Sequence, residues 1–240
     1  MTKTGVAKTI DSKAVREWAF ATGDKRSSLV VYRIVRGLIR RLLFPWLRVQ
    51  SANTEILDRP GATILAPVHR SNLDSVLLAS LCDRRIRALG KESLFLVPVV
   101  KYFCAALGAI PVRRGEADRD ALAAALTLLE RDESMIVFPE GGRQEGHDVH
   151  ELFDGAAWLA GRTGARVVPI GISGTETALP QHAKTIHRSR VGVFVGEPLD
   201  PPTGIDGKRP NRDQLRAFSL ELGDRMQAAQ DAARRLAAPS

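Results

Sequence analysis

Apolar residues along the chain form short runs that alternate with longer segments of helical periodicity. The short runs have the length and composition of buried strands and lie at 62–68, 85–91, 108–114, 134–138, 166–172 and 190–195. Helical patterns lie at 76–81, 94–107, 118–132, 154–162 and 211–236. Because strands alternate with helices, the pattern predicts an α/β fold with a mostly parallel central sheet flanked by helices. The apolar helix at 94–107 is expected to line a greasy cavity.

Residues 27–49 have a different pattern, that of an N-terminal basic amphipathic helix. Its apolar side consists of Val31, Ile34, Val35, Leu38, Ile39, Leu42 and Trp46. Its cationic side consists of Arg26, Arg33, Arg36, Arg40 and Arg41. Such a helix either packs on the core of its own protein or lies at the surface of an anionic membrane. Tyr32, Phe44 and Trp46 favour the membrane, and Pro45 is expected to end or bend the helix.

The chain is expected to divide into two parts, an N-terminal segment at 1–48 that contains this helix and a main domain at 49–240. Residues 1–24 are polar and mixed, so a loosely ordered segment with at most a short helix around 15–20 is expected there. No stretch reaches the roughly 18 uncharged apolar residues of a spanning helix. The first 25 residues also lack the apolar core of a signal peptide, so neither membrane spanning nor export is expected.

Composition and charge narrow the choice of partners. Hydrophobic residues make up 44% of the chain, which is enough for a core, and the net charge is +8. This charge favours an anionic partner, namely nucleic acid, an anionic membrane or a phosphorylated small molecule. The low aromatic content of 5% and the lack of a nucleic-acid-binding motif argue against nucleic acid. Cys82 and Cys104 lie in apolar helical stretches and are expected to be reduced thiols in the cytoplasm.

The stretch from Val68 to Asp74 places a histidine and an aspartate five positions apart, where an apolar strand meets a helix. Such a turn can bring the Asp74 carboxylate onto one imidazole nitrogen of His69. The other nitrogen is then free to accept a proton, which is the arrangement of a general base. A pair with this spacing also occurs by chance in ordinary sequences, so the neighbouring motifs have to support the hypothesis.

Two glycine-containing stretches, at 108–114 and 138–143, follow or end later strands and contain arginines. Glycine lets the backbone approach a ligand closely, and a guanidinium group matches two phosphate oxygens at once. We therefore expect Arg114 and Arg143 to bind a phosphate, with Lys91 and Arg113 as weaker candidates. The alternative is that these cations are surface charges paired with nearby carboxylates.

Four stretches in this order resemble the sequence blocks of the glycerolipid acyltransferase family that includes 1-acyl-glycerol-3-phosphate acyltransferase. They are 69–74 (HRSNLD), 108–114 (GAIPVRR), 138–143 (FPEGGR) and 168–172 (VPIGI). The resemblance covers about residues 49–195 and implies that His69 and Asp74 are the catalytic dyad. The substrate-binding residues implied by the blocks and their neighbouring family stretch are Lys91, Arg114, Glu140, Gly141, Gly142 and Arg143. Glu140 is expected either to bind acceptor hydroxyls or to hold Arg143.

The sequence departs from the family pattern at four positions. Gly142 stands where threonine is usual, and Gln144 stands where serine is common. Arg113 replaces a frequently acidic residue, and Val68 replaces the asparagine that often precedes the histidine. A lost hydroxyl and an added positive charge alter the pocket beside the polar head of the acceptor. The departures therefore bear on the identity of the acceptor more than on the reaction.

The resemblance implies an enzyme that moves a fatty acyl group from a thioester to the free hydroxyl of lysophosphatidic acid, which gives phosphatidic acid in phospholipid biosynthesis. His69 is expected to take the hydroxyl proton, so that the hydroxyl attacks the thioester without an acyl-enzyme intermediate. The acyl donor is expected to be acyl-CoA or acyl-ACP, the thioester of acyl carrier protein. The alternatives are glycerol 3-phosphate or another lysophospholipid or glycolipid as acceptor, and a non-catalytic peripheral membrane-binding protein.

The expected partners follow from this hypothesis. They are the lysophospholipid acceptor, the acyl thioester donor, acyl carrier protein if it carries the donor, and an anionic membrane surface that residues 27–49 contact. No nucleic acid, bound cofactor or metal is expected. The expected location is the cytoplasmic face of the cell membrane, as a peripheral protein.

Overall fold

The computed structural model describes residues 12–112, 119–204 and 208–239. Its helices are α1 (Ser12–Gly23), α2 (Arg26–Leu38), α3 (Phe44–Trp46), α4 (Leu73–Leu81), α5 (Pro98–Ala106), α6 (Arg119–Glu130), α7 (Gly155–Thr163), α8 (Thr175–Ala178) and α9 (Arg212–Ala237). A π-helical turn at Ile39–Leu43 joins α2 to α3, and 3-10 turns lie at Thr54–Asp58 and Glu92–Leu96. The strands are β1 (Gln50–Ala52), β2 (Thr63–Pro67), β3 (Arg87–Lys91), β4 (Ala109–Val112), β5 (Met135–Ile136), β6 (Arg166–Ser173) and β7 (Gly192–Val195).

The seven strands form one sheet in the order β1-β7-β6-β2-β5-β3-β4. All neighbouring pairs are parallel except β6 and β7. The prediction of a mostly parallel sheet flanked by helices is therefore confirmed, and the six predicted strands correspond to β2 to β7. The short edge strand β1 was not predicted, because its three residues are too few and too exposed to show an apolar pattern.

The centre of the sheet positions the functional loops. Every residue of β2 is buried, and so is every residue of β6 except Arg166. Such continuous apolar runs are typical of strands that are covered by helices on both faces. Because β2, β5 and β6 run in the same direction, their carboxyl ends meet at one edge of the sheet, and the loops that follow them lie together. This edge is called the catalytic edge below.

Helix α1 corrects the expectation of a loosely ordered N-terminus. The structure shows a helix of 12 residues that buries Ala19 completely against Phe95 and Ala105. The sequence did not predict this helix clearly, because residues 1–24 are mostly polar and only a narrow side of the helix is apolar. Residues 1–11 lie outside the described part of the chain. The proposed division at residue 48 stays a prediction.

A cluster of charged side chains connects the turn between α1 and α2 to the edge of the sheet that lies opposite the catalytic edge. Asp24, in this turn, accepts hydrogen bonds from Arg87 and Arg131. Glu133 accepts hydrogen bonds from Arg85 and Arg87, and Arg87 is fully buried. Since Arg87 begins β3, the position of the α1–α2 turn is set by the sheet itself.

Helix α2 and the two turns after it present an apolar stripe to the outside. The exposed residues recur at every fourth position and are Val30, Ile34, Leu38, Leu42 and Trp46, each between 50% and 65% exposed. Tyr32 points the other way: it is buried, donates a hydrogen bond to the Ala79 carbonyl and accepts one from the Ile86 amide. The expectation that Tyr32 faces a membrane is therefore wrong. Across the described ranges, none of the helices combines the length and the apolar character needed to cross a bilayer.

Two of the arginines assigned to anionic lipid have a different role. Arg36 and Arg40 donate hydrogen bonds to backbone carbonyls at and just beyond the C-terminus of α4. The acceptors are the carbonyls of Ser80, Leu81, Cys82 and Asp83. The last carbonyls of a helix have no partner within the helix, and cations there also complement the helix dipole. Arg36 and Arg40 therefore cap α4 and join it to the amphipathic segment.

Candidate active site

His69 lies on the catalytic edge, in the turn that joins β2 to α4, and Asp74 lies in the first turn of α4. The Nδ1 atom of His69 is 2.9 Å from the Oδ2 atom of Asp74. The imidazole ring stacks on the Phe138 ring, with the ring centroids 3.8 Å apart, and His69 is only 6% exposed. The structure thus brings the two predicted residues into the predicted contact. Stacking and burial together leave the imidazole little rotational freedom.

Asp74 is completely buried, and its carboxylate accepts several hydrogen bonds from the described residues. Oδ2 also accepts hydrogen bonds from the backbone amides of Arg70 and Ser71, both at 2.7 Å. Oδ1 accepts a hydrogen bond from the hydroxyl of Thr175 at 2.6 Å. A buried carboxylate needs such partners, because an unpaired charge in the interior is strongly unfavourable.

This hydrogen-bond network assigns the tautomer of His69. An ionised carboxylate only accepts hydrogen bonds, so the proton between His69 and Asp74 lies on Nδ1. The Nε2 atom then carries the free lone pair, and it makes no hydrogen bond to any residue of 12–112, 119–204 or 208–239. The ring is therefore arranged to accept a proton at Nε2.

Thr175 was not predicted as a site residue. It begins α8, directly after β6, and it is 101 positions away from Asp74 in the sequence. Its side chain is fully buried. A threonine near the end of a buried strand has no local signal that would mark it as a partner of a distant carboxylate. Its position just after the fourth block, 168–172, was the only available indication.

Glu140 makes contacts within the protein that the sequence did not predict. It is 2% exposed, and its Oε2 atom accepts hydrogen bonds from the His69 amide at 3.1 Å and from Arg70 at 2.8 Å. Its Oε1 atom accepts a hydrogen bond from the His150 amide. Among the described residues Glu140 makes no hydrogen bond to Arg143, and the binding of acceptor hydroxyls by Glu140 stays a prediction. The Glu140 carboxylate holds the backbone of His69 in place through the hydrogen bond from the His69 amide.

Arg70 connects this support to the next loop. Its guanidinium group is buried, pairs with Glu140, and donates hydrogen bonds to the carbonyls of Gly146 and Asp148. The dyad turn and the loop after β5 are thereby held together. Arg70 lies within the first sequence block, but its side chain was not assigned a role, because a charged residue in a turn is usually exposed.

The two glycines of the third block differ in what they require. Gly141 has a φ of +73°, and a Cβ atom there would lie 2.6 Å from the Phe153 ring, so only glycine fits without a rearrangement. A Cβ atom at Gly142 would meet nothing within 4 Å. There is thus open space where the family usually has a threonine.

The structure describes only some of the residues that were predicted to bind a phosphate. Arg143 is half-buried in the loop after β5, and Lys91 is exposed at the carboxyl end of β3. Within the described ranges, neither side chain makes a hydrogen bond or an ion pair, so both cations are available to a ligand. Arg114 and Arg113 lie outside the described residues. The structure therefore leaves the predicted convergence of Arg114 with Arg143 as a prediction.

An apolar groove of about 170 Å³ runs beside α4. Its walls include Val35 and Ile39 from the amphipathic segment, Ser75 and Val76 from α4, and Ala88 from β3. Ser75 directly follows Asp74 in the sequence, so the groove begins next to the dyad helix's first turn. The predicted helix 94–107 contributes only its last residue to this groove, since most of its apolar side chains are exposed.

The mostly parallel sheet and the buried histidine–carboxylate pair at its catalytic edge define an α/β protein with a candidate general base. The model of the acyltransferase family matches residues 48–173, which is more than half of the chain, and the chain therefore belongs to this family. In the described ranges, no group of three or more metal-binding side chains is arranged to hold an ion.

Two proteins with sequences similar to this chain have the same enzyme name. The chain is 27% identical over 163 residues to a chloroplastic 1-acyl-sn-glycerol-3-phosphate acyltransferase of Arabidopsis thaliana, which is 65% of this chain and 45% of that protein. It is 24% identical over 176 residues to the 1-acyl-sn-glycerol-3-phosphate acyltransferase of Salmonella typhimurium, which is 72% of this chain and 69% of that protein. The chain thus spans less than half of the plant relative.

A solved structure supports the fold. The crystal structure of the 1-acyl-sn-glycerophosphate acyltransferase from Thermotoga maritima superimposes with a TM-score of 0.70. The match covers 93% of this chain and 89% of that one, at 24% sequence identity.

Proposed function

We propose that the protein is a 1-acylglycerol-3-phosphate O-acyltransferase that transfers a fatty acyl group from a thioester to lysophosphatidic acid. The observation that carries this proposal is the His69–Asp74 pair, with its Nε2 atom unbonded at the catalytic edge. The family to which the chain belongs and the names of its relatives support the same reaction. Phosphatidic acid is then the product.

The residues of the dyad act on the acceptor hydroxyl. His69 Nε2 accepts the hydroxyl proton while the hydroxyl oxygen attacks the thioester carbonyl carbon. Asp74 stabilises the imidazolium ion that forms, and the buried network holds its carboxylate in place for this purpose. The carbon–sulfur bond then breaks, and the imidazolium returns the proton to the departing thiolate. A thioester is already activated, so no acyl-enzyme is needed.

The unpaired cations favour an acceptor with a phosphate. Arg143 presents a planar guanidinium group that matches phosphate oxygens two at a time, and Lys91 adds a second positive charge. We assign Arg114 to the same phosphate on the strength of the family resemblance. The open space at Gly142 favours an acceptor whose head is wider than that of glycerol 3-phosphate, so other lysophospholipids remain alternative acceptors.

The groove beside α4 is suited to the acyl chain of the donor. Its walls are almost entirely apolar, and it begins beside the first turn of α4, which carries Asp74. An acyl chain in the groove would be shielded from water while its thioester stays near His69. The donor is acyl-CoA or acyl carrier protein carrying the same thioester.

The exposed stripe on the amphipathic segment is the proposed contact with the membrane. Its five apolar side chains lie on the outside and would enter the headgroup boundary, as in other interfacial helices. Arg26, Arg33 and Arg41 are exposed and remain available for anionic headgroups. The protein would then lie at the cytoplasmic face of the membrane as a peripheral protein, where its acceptor resides.

The test is an acyl-transfer assay in neutral detergent. Oleoyl and palmitoyl thioesters of CoA and of acyl carrier protein are offered with lysophosphatidic acid, glycerol 3-phosphate and lysophosphatidylcholine, and release of the free thiol is measured. We expect lysophosphatidic acid to react and His69→Ala to lower the rate by about a hundredfold to ten-thousandfold, the usual contribution of a general base.

His187→Ala is the matched control, because it removes an exposed imidazole that makes no hydrogen bond within the described part of the chain. It is expected to retain the wild-type rate. A His69→Ala protein with near wild-type acyl transfer would exclude the mechanism. Thiol release with none of the acceptors would exclude the proposed reaction.

A further inference from the structure

The loop between α8 and β7 is rich in positive charge. This basic loop, residues 180–190, contains no acidic residue and has the sequence PQHAKTIHRSR. Its basic side chains are His182, Lys184, His187, Arg188 and Arg190, and the first four are exposed. Within the described ranges, Lys184 and Arg188 form no ion pair with a carboxylate. The positive charge of the loop is therefore not neutralised by the protein.

The basic loop lies beside the end of the apolar stripe. The guanidinium group of Arg188 stands over the Trp46 ring, 5.8 Å from its centroid. Just after the loop, the Val191 amide donates a hydrogen bond to the Leu47 carbonyl. Trp46 is the last residue of the stripe and is 50% exposed, while Ile186 in the loop is 40% exposed. Loop and stripe thus form one continuous surface.

Backbone hydrogen bonds hold the loop in a defined shape. The His187 amide donates to the Ala178 carbonyl at 2.7 Å, and the Ala183 amide donates to the Pro180 carbonyl at 3.0 Å. The Ser189 hydroxyl donates to the Gly174 carbonyl. A loop that is already ordered loses little conformational entropy when its side chains bind a ligand. The loop also begins one short helix after Thr175, so its cations lie on the side of the catalytic edge.

We infer that the basic loop is a second membrane contact, which binds the phosphate groups of anionic phospholipids while the stripe of α2 enters the apolar boundary. Cations, an aromatic ring and an exposed aliphatic side chain together are typical of protein surfaces at the lipid–water interface. An acidic protein partner would also pair with these cations, but it would not bury the apolar residues beside them. The inference rests on the proposed seating of α2 at the membrane.

The test measures binding of the full chain to vesicles by co-sedimentation. The vesicles contain phosphatidylcholine alone or phosphatidylcholine mixed with phosphatidylglycerol. The double variant Lys184→Gln/Arg188→Gln is compared with Lys208→Gln/Arg209→Gln, which removes the same charge beside the N-terminus of α9. The basic loop lies near the other end of that helix, since Arg190 bonds the Ala238 carbonyl. The helix is about 39 Å long.

We expect the loop variant to lose about thirtyfold in affinity for the anionic vesicles, since two cations near an anionic surface are removed. The control variant is expected to lose less than threefold, and added salt is expected to reduce the difference. Binding to vesicles of phosphatidylcholine alone is expected to be the same for both variants.

Three results would overturn the inference. They are unchanged anionic binding of the loop variant, an equal loss in both variants, and a loss of rate with acyl carrier protein as donor without a loss of vesicle binding. The last result would assign the loop to the carrier protein. Acyl transfer in neutral detergent, measured in parallel, shows that the variants are folded. Because the binding assay needs no catalysis, a failure of the proposed reaction would be seen separately.

Discussion

Asp74 shows how one buried carboxylate organises the candidate site. Its carboxylate contacts the His69 imidazole, two backbone amides of the preceding turn, and the hydroxyl of Thr175 at the start of α8. The first three contacts are local consequences of the turn, and the fourth joins the turn to another strand. Thr175 is therefore a positioning residue, which acts on the reaction through Asp74.

Thr175→Val tests this assignment. The variant has nearly the same shape but leaves Oδ1 of Asp74 without its donor, at a cost of about 1–3 kcal/mol in a buried site. We expect kcat to fall by about tenfold with little change in KM for the acceptor, because the imidazole is less well oriented. Steady-state kinetics would show this, and Thr175→Ser is expected to restore kcat. A rise in KM without a change in kcat would contradict a positioning role.

The buried pair of Glu140 and Arg70 gives a second prediction. Both side chains are at most 1% exposed, so removing one charge leaves the other uncompensated. Glu140→Gln is expected to lower the free energy of unfolding by about 3–5 kcal/mol, as is usual when a buried ion pair is broken. Urea denaturation measures the change. Glu145→Gln, at an exposed position nearby, is expected to change it by less than about 0.5 kcal/mol.

The alternative for Glu140 has a different signature. If its carboxylate bound the acceptor, Glu140→Gln would raise the KM for the acceptor and leave the unfolding free energy unchanged. A stable variant with an altered KM would therefore restore the original prediction from the sequence.

The amphipathic segment is the element whose faces the sequence described least well. Its helical period predicted one apolar side and one basic side. In the folded chain, some residues of each side contact the protein and the others face outwards. Val35 and Ile39 turn towards the groove, whereas Ile34 and Leu38 turn outwards. On the basic side, Arg36 and Arg40 bind the end of α4. A helical wheel gives only angles, so it cannot say which angle faces the protein.

The turn between α1 and α2 should make stability depend on pH. Burial alone raises the pKa of Asp24, but the hydrogen bonds and charges of Arg131 and Arg87 outweigh burial and hold this pKa below its usual value of 3.8. A carboxylate with a lowered pKa stabilises the fold above its unfolded pKa, and this contribution is lost as the pH falls through the folded pKa. The α1–α2 turn is then released at low pH.

Asp24→Asn is expected to be less stable than the wild type at neutral pH and to lose less stability on acidification. Thermal unfolding between about pH 6 and pH 3 measures both effects. Asp224→Asn, at an exposed position in α9, is the control and should follow the wild-type curve. If Asp24→Asn matched the wild type at every pH, the ion pairs at this turn would contribute nothing to stability.

Across the whole molecule, the net charge of +8 does not show how many cations are available to bind an anionic partner. Arg70 and Arg87 are buried in ion pairs, and Arg36 and Arg40 cap a helix. Of the exposed cations with no hydrogen bond or ion pair in the described ranges, Lys91 lies at the catalytic edge, Lys184 and Arg188 lie in the basic loop, and others lie on the amphipathic segment and beside α9. The net charge alone therefore does not locate the proposed membrane contacts.

Patterns within a few residues were sufficient to predict much of this protein. Apolar runs and helical periods located β2 to β7 and most helices, since burial on both faces leaves a continuous apolar run. The pairing of His69 with Asp74 was also predictable, because residues five apart in a strand–helix turn have few alternative positions. The resemblance of four short blocks indicated the family.

Contacts between distant segments were decided only when the chain folded. The carboxylate of Glu140 is 71 positions from His69, and the hydroxyl of Thr175 is 101 positions from Asp74. A charged or polar side chain in a sequence does not specify its partner, because many partners satisfy the same hydrogen bonds. Packing of the sheet selects one of them. For this reason Glu140 was assigned to the substrate from its sequence, whereas in the folded protein it supports the histidine.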